Sequence, residues 1–241
     1  MASFTRYLWL LLFFPFLAHA SANQHIANVR SIEQTHSIIQ KPVAHYTAGE
    51  DYRVLSTPAP VAAGKNQIEV AEVFWYGCPH CYDLEPYINK WRPTLAKDVL
   101  FTSVPAFFGS GSSLWKVHAK LYYTLKNMGL LAKTHNAVFD EIQNKKNYLE
   151  NSDEMATFLN KRFGVNKTKF KNAYNSITIA HELTNASNLI SSYGISGVPA
   201  IVIDGRYVVQ PTNKPLASMI NISNYLIEKV RKEREVAKKK N

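Results

Sequence analysis

The spacing of apolar and polar positions changes several times along the chain, and each change marks an element. Tyr7 to Leu17 is an almost unbroken apolar run that follows Arg6 and precedes Ala18-His19-Ala20. A positive start, a short apolar stretch and a small-x-small end are the three parts of a secretory signal peptide. The run is shorter than the roughly 20 residues that cross a bilayer. Residues 1–20 are therefore expected to be a cleaved signal peptide, and residues 21–47, polar and without periodicity, an N-terminal extension. Gln67 to Trp75 is rich in β-branched and aromatic residues and predicts a strand. A helical pattern follows through Tyr82, Leu84, Tyr87, Ile88 and Trp91, with Pro86 and Pro93 predicting a kink. Val99 to Val104 predicts a second strand, and Gly109 to Ser113 a loop.

From Leu114 the period becomes helical, with Leu114, Val117, Leu121 and Leu125 on one face. Phe139, Ile142, Phe158, Phe163, Phe170, Tyr174 and Leu189 continue it in short segments, and Asn151-Ser152-Asp153-Glu154 reads as a helix start. The block of helices spans about 114–182 and ends in a helix leading to Gly194. Ala200–Ile203, the Asp204-Gly205 turn and Tyr207–Val209 predict a hairpin, and a last helix runs from about Leu216 to Val236. The class is α/β, with an all-helical segment inserted between strands.

Composition narrows the function. With 46% hydrophobic and 12% aromatic residues, the chain can build a core, which excludes wholesale disorder. The net charge of +10 gathers partly at Lys229, Arg231, Lys232, Arg234 and Lys238–Lys240. No basic stretch is interleaved with aromatics as in single-strand nucleic-acid grooves, so no nucleic-acid partner is expected. No second long apolar stretch exists, so the mature chain is expected to be free of a membrane anchor.

The two cysteines are Cys78 and Cys81, spaced C-x-x-C. Disulfides persist in exported proteins, but one closing so small a loop adds little to folding. The pair is expected to do chemistry. Between a strand and a helix, Cys78 stands at a helix N-terminus, where unpaired N–H groups and the helix dipole favour its thiolate. Pro79 suits the first helical position, and His80 can add a positive charge or a hydrogen bond. Cys81, one turn deeper, is expected to be the shielded partner. Structural zinc takes four ligands; there is no third cysteine, and His118, His135 and His181 are scattered, so no metal is expected. Glu72 shares a strand face with Ile68, Val70 and Phe74. Two readings stay open for it: a buried proton acceptor for Cys81, or a salt-bridged acid at a strand edge. Val198-Pro199, just before the hairpin, is a candidate cis bond at a strand entrance.

Phe74-Trp75-Tyr76-Gly77-Cys78-Pro79-His80-Cys81-Tyr82, with Gly197-Val198-Pro199 far downstream, closely resembles the DsbA family of the thioredoxin superfamily. The resemblance covers about residues 48–235. It implies a thioredoxin-like fold, residues 48–113 and 183–241, carrying the 114–182 helical insertion. It implies a periplasmic protein disulfide oxidase that hands its Cys78–Cys81 disulfide to reduced or unfolded exported proteins, with no cofactor besides that disulfide. A quinone-linked membrane protein resembling DsbB would reoxidise it. Pro79-His80 is the oxidase-type pair between the cysteines, Glu72 matches the family's buried acid, and Val198 and Pro199 match its substrate-binding cis-proline loop. The strand at 98–104 departs from the pattern in having no lysine to pair with Glu72. A disulfide isomerase or reductase of the same fold, and a non-catalytic periplasmic chaperone, are the alternatives.

Overall fold

The computed structural model describes residues 45–108 and 113–240. The signal peptide expected at 1–20, nearly all of the 21–47 extension and most of the Gly109–Ser113 loop lie outside the described residues. The elements run in the order β1 (Arg53–Val54), β2 (Ile68–Phe74), α1 (Pro79–Trp91), β3 (Val99–Pro105), α2 (Leu114–Asn127), α3 (Leu131–Gln143), α4 (Ser152–Phe163), α5 (Lys167–Tyr174), α6 (Ile177–Tyr193), β4 (Ala200–Ile203), β5 (Tyr207–Val209) and α7 (Ala217–Lys240). A single 3-10 turn, Arg92–Thr94, ends α1. Among the described residues no helix is long and apolar enough to cross a membrane.

The strands form one mixed sheet in the order β1-β5-β4-β2-β3. β2 pairs parallel with β3, from Ile68 opposite Val99 to Phe74 opposite Pro105, and antiparallel with β4. β2 is buried at every position because both faces of the sheet are covered. The pleat divides its side chains. Ile68 and Val70, with Ile201, Ile203, Tyr207 and Val209, pack against Leu84, Ile88 and Trp91 of α1 and Met219, Ile222, Leu226 and Val230 of α7. Ala71 and Val73, with Ala200, Val202 and Val208, join the larger core shared with α2 to α6. This is the α/β, thioredoxin-like arrangement with a helical insertion that the sequence implied.

Local signals set the helix limits. The side chains of Asn151 and Asn166 cap α4 and α5 by accepting from backbone N–H groups two or three residues on. The Asn151 cap falls where the helix start was expected. α6 runs without a break across residues 182 and 183, the edge expected for the insertion, because its buried face (Ile179, Leu183, Ala186, Ile190, Tyr193) is continuous. α1 likewise continues through Pro86, tightening only at Arg92–Thr94. Trp91 anchors it by donating from Nε1 to Asn224 Oδ1 of α7 at 2.8 Å.

The β4–β5 turn places both Asp204 and Gly205 at positive φ, +54° and +61°, as a tight hairpin requires. A Cβ on Gly205 would overlap the carbonyl oxygen of Ala59, whose N–H donates to the Gly205 carbonyl at 2.7 Å. Gly205→Ala is expected to destabilise the protein by about 1–3 kcal/mol, read as a lower urea midpoint with an unchanged slope.

Candidate active site

The site grows from the junction of β2 and α1. Leaving the strand, the chain turns through Trp75-Tyr76-Gly77, and the Cys78 N–H donates to the Trp75 carbonyl at 2.9 Å. Cys78 is the N-cap of α1, with extended φ and ψ (−89°, 117°) and no side-chain cap of its own; Pro79 occupies the first helical position. The first-turn N–H groups therefore face the Cys78 sulfur and not a capping oxygen. Gly77 has no room for a side chain, since a Cβ would run into the Trp75 indole. That indole stacks on Trp115 at 4.0 Å between centroids, and Phe108 meets Trp115 edge-on at 5.3 Å.

Both cysteines are thiols in this structure. Cys78 Sγ lies 3.6 Å from the Val198 carbonyl oxygen, and the Val198–Pro199 bond is cis. Val198 is half-buried and Pro199 buried, while Pro79 and His80 are exposed. The two sulfurs differ sharply. The hydrogen bond from Cys81, backbone N–H groups of Cys81 and His80, and the His80 charge together lower the Cys78 thiol to about 6, against the opposing effect of burial. Cys81 is 2% exposed, and burial, then the hydrogen bond to Cys78 and the nearby charges of Cys78 and Glu72, push its thiol well above the ordinary value. An anionic outer sulfur beside a protonated inner one is the arrangement in which the outer is nucleophile and leaving group.

Glu72 is 2% exposed, which decides between the two sequence readings in favour of a buried acid. Its oxygen accepts from Ser103 Oγ at 3.1 Å across the β2–β3 pair. Burial and the facing charge of Glu85 raise its carboxyl. Glu85 escaped the sequence reading. It is 5% exposed, and burial raises its carboxyl too. It accepts from Asn89 Nδ2 at 3.2 Å and meets His135 Nε2 at 3.4 Å. His135 Nδ1 lies 2.8 Å from the Tyr76 hydroxyl, and burial lowers the imidazole to about 4, so it is neutral at pH 7. The signal for Glu85 was in the sequence: it stands four residues after Cys81, on the apolar stripe with Leu84, Ile88 and Trp91. His135 carried no such signal, because only the packing of α3 beside α1 brings it there. His118, the other buried histidine, bonds the Tyr148 carbonyl oxygen at 2.8 Å behind Trp75. Among the described residues no group of three or more His, Cys, Asp or Glu side chains is placed to hold a metal ion.

The lowered Cys78 thiol has a sign that can be checked. Only the reduced protein has this group, and unfolding restores an ordinary thiol. The thiolate therefore stabilises the reduced form fully above the free-cysteine range, and that contribution is lost as pH falls through about 6. Urea unfolding of the reduced and oxidised proteins across pH 5–9 is expected to show the reduced form losing ground steadily toward the acid end. Thiolate ultraviolet absorbance should give a midpoint near 6 that vanishes in Cys78→Ala.

Residues 69–219 match the DSBA-like thioredoxin domain. The thiol:disulfide interchange protein DsbA of Pseudomonas aeruginosa is 42% identical over 196 residues, spanning 80% of this chain and 89% of that protein. The protein of the same name from Azotobacter vinelandii is 41% identical over 189 residues, spanning 76% and 84%. The crystal structure of P. aeruginosa DsbA superposes with a TM-score of 0.73 at 41% identity, over 79% of this chain and 97% of that one. DsbA from Xylella fastidiosa superposes with a TM-score of 0.71 at 32% identity, over 77% and 98%. With the C-x-x-C thiols at the helix N-terminus facing the Val198–Pro199 loop, these matches establish that the chain belongs to the DsbA family of thioredoxin-like proteins.

Proposed function

We propose that this chain is a thiol–disulfide oxidoreductase that works as a protein disulfide oxidase, passing the Cys78–Cys81 disulfide to reduced exported proteins. The observation that carries the reading is the unequal pair of sulfurs: Cys78 at the open N-terminus of α1, against the Val198 carbonyl, and Cys81 sealed behind it. Stabilising the Cys78 thiolate stabilises the reduced protein, so its disulfide is readily given away.

The exchange proceeds in two displacements. A substrate thiolate attacks Cys78 Sγ, the bond to Cys81 breaks, and Cys81 leaves with the electron pair and takes up a proton, for which Glu72 is the buried source. A second substrate thiolate then attacks the substrate sulfur of the mixed disulfide and expels Cys78 as a thiolate. Substrate has lost two electrons, and the Cys78/Cys81 pair holds them. Pro79 starts the helix without needing an N–H partner, and His80 adds its charge beside the sulfur. Val198 offers a backbone carbonyl at the reacting sulfur, the position at which an extended substrate strand can pair, with Pro199 setting the loop. The aromatic surface of Trp75, Trp115 and Phe108 supplies apolar contact without sequence preference. No cofactor beyond the disulfide enters this cycle. Reoxidation falls to a quinone-linked membrane partner resembling DsbB, and the site of action is the periplasm, after removal of residues 1–20.

Two variants and one equilibrium test this. Cys81→Ala, first loaded at Cys78 with a glutathione mixed disulfide, is expected to exchange with a single-cysteine test protein and hold it as a mixed disulfide, seen as a reducible higher-mass species on a gel, and Cys78→Ala to form none and to lose all oxidation of a reduced test protein. In glutathione buffers the wild-type pair is expected to be held reduced under mildly reducing conditions. A pair that stays oxidised there would indicate a reductase or isomerase, and oxidation surviving in Cys78→Ala would reject the mechanism outright.

A further inference from the structure

The buried Glu72–Glu85 pair is unequally supplied with hydrogen-bond donors. Glu85 accepts from Asn89 Nδ2 on one oxygen, at 3.2 Å, and faces His135 Nε2 at 3.4 Å on the other. With the Tyr76 hydroxyl 2.8 Å from His135 Nδ1, a neutral ring donating to Glu85 from Nε2 accepts from Tyr76 at Nδ1, and every polar atom is used. Arg92, at the end of α1, adds a favourable charge to Glu85. Glu72 has one donor, Ser103 Oγ at 3.1 Å. Two carboxylates enclosed together do not both ionise near neutrality, so the pair holds about one proton. The proton goes to the member with fewer donors.

We infer that His135 and Asn89 are positioning residues: by hydrogen-bonding Glu85 as a carboxylate they keep the proton of the pair on Glu72, the member that acts on Cys81. The inference rests on the two-step exchange proposed above and adds three residues to it. When the disulfide opens, Cys81 leaves as a thiolate, the Glu72 carboxyl O–H bond breaks and the Cys81 S–H bond forms. The negative charge passes to Glu72, and the pair regains its proton from solvent before the next turnover. The groups facing Glu72 are few: Glu85 of α1, Ser103 of β3, His135 of α3, Tyr122 of α2, and Cys81 and Tyr76 at the head of α1. Both tyrosines have their hydroxyls raised far from neutrality by burial, and His135 is held neutral, so none competes for the proton at pH 7.

The test reads the two carboxyl carbons directly. In the reduced full chain labelled with carbon-13 glutamate, and assigned with Glu72→Gln and Glu85→Gln, Glu72 is expected to resonate as an acid and Glu85 as a carboxylate at pH 7. His135→Phe removes one donor, and the ratio of proton occupancy, Glu72 over Glu85, should fall about tenfold, the worth of one pH unit. His135→Gln keeps an N–H at that position and should restore most of the ratio. Asn89→Ala, at a half-exposed position on α1, should move it in the same direction as His135→Phe and decides the matter if the buried variant does not fold. Glu85 carrying the proton in the wild type, or a ratio indifferent to both substitutions, overturns the assignment. Disulfide exchange through Cys78 is measured separately, so a wild-type protein that exchanges normally while Glu85 holds the proton defeats this inference alone.

Discussion

The electrostatics of one helix end govern this molecule. Where β2 gives way to α1, the first-turn N–H groups have no intrahelical partner, and the residue that would normally cap them carries a sulfur. The thiolate is the better acceptor, first of the Cys81 thiol and then of the Cys81 and His80 N–H groups, so the fold itself favours ionised Cys78. That preference would have little use if the junction were loose. It is held from several sides: the Cys78 N–H by the Trp75 carbonyl, the Tyr76 carbonyl by Gln143 Nε2 at 2.9 Å, and the Gly77 backbone by close approach to the Trp75 indole. The sulfur thus meets the Val198 carbonyl in one defined place.

The same sheet carries two buried acids on β2, and their surroundings show what distinguishes structure from chemistry. Glu69 accepts from Thr102 Oγ1 at 2.7 Å and from the Ala62 N–H at 2.9 Å, tying a loop and β3 to the strand. Glu72, three residues on, has a single hydroxyl donor and faces another carboxylate. A buried acid left so poorly satisfied works against stability. Burial and the facing Glu85 raise its carboxyl to about 8, a departure of the kind that gathers at functional sites. Glu85 and His135 complete the arrangement from α1 and α3, so the helical insertion reaches the buried acids beside the interior strand β2 as well as covering the sheet.

The elements themselves were largely visible in the residue pattern. β2, β3 and the β4–β5 hairpin lie within a residue or so of the expected strands, because runs rich in β-branched and aromatic residues mark a strand even where a buried acid interrupts them, as Glu69 and Glu72 do in β2. Asn151 and the Asp204-Gly205 turn marked their own positions through local backbone chemistry. The edge of the insertion was less visible. α6 passes through residue 182 because its buried face belongs both to the helical block and to the sheet, and no local residue records that sharing. β1, two residues long, exists only by pairing with β5.

By itself the sequence determined that Cys78 begins a helix, that Pro79 and His80 stand between two thiols, and that Glu72 lies on a strand behind them; each follows from neighbours in the chain, where periodicity and helix-end chemistry act. The tertiary structure alone decided that Val198 faces the sulfur from 120 residues along the chain, that Glu72 is enclosed and not at a wet edge, and that Glu85 and His135 meet it. Burial and long-range hydrogen bonding depend on how α1, α3 and the sheet pack together, and no local pattern encodes the distance between residues that only the folded core brings into contact.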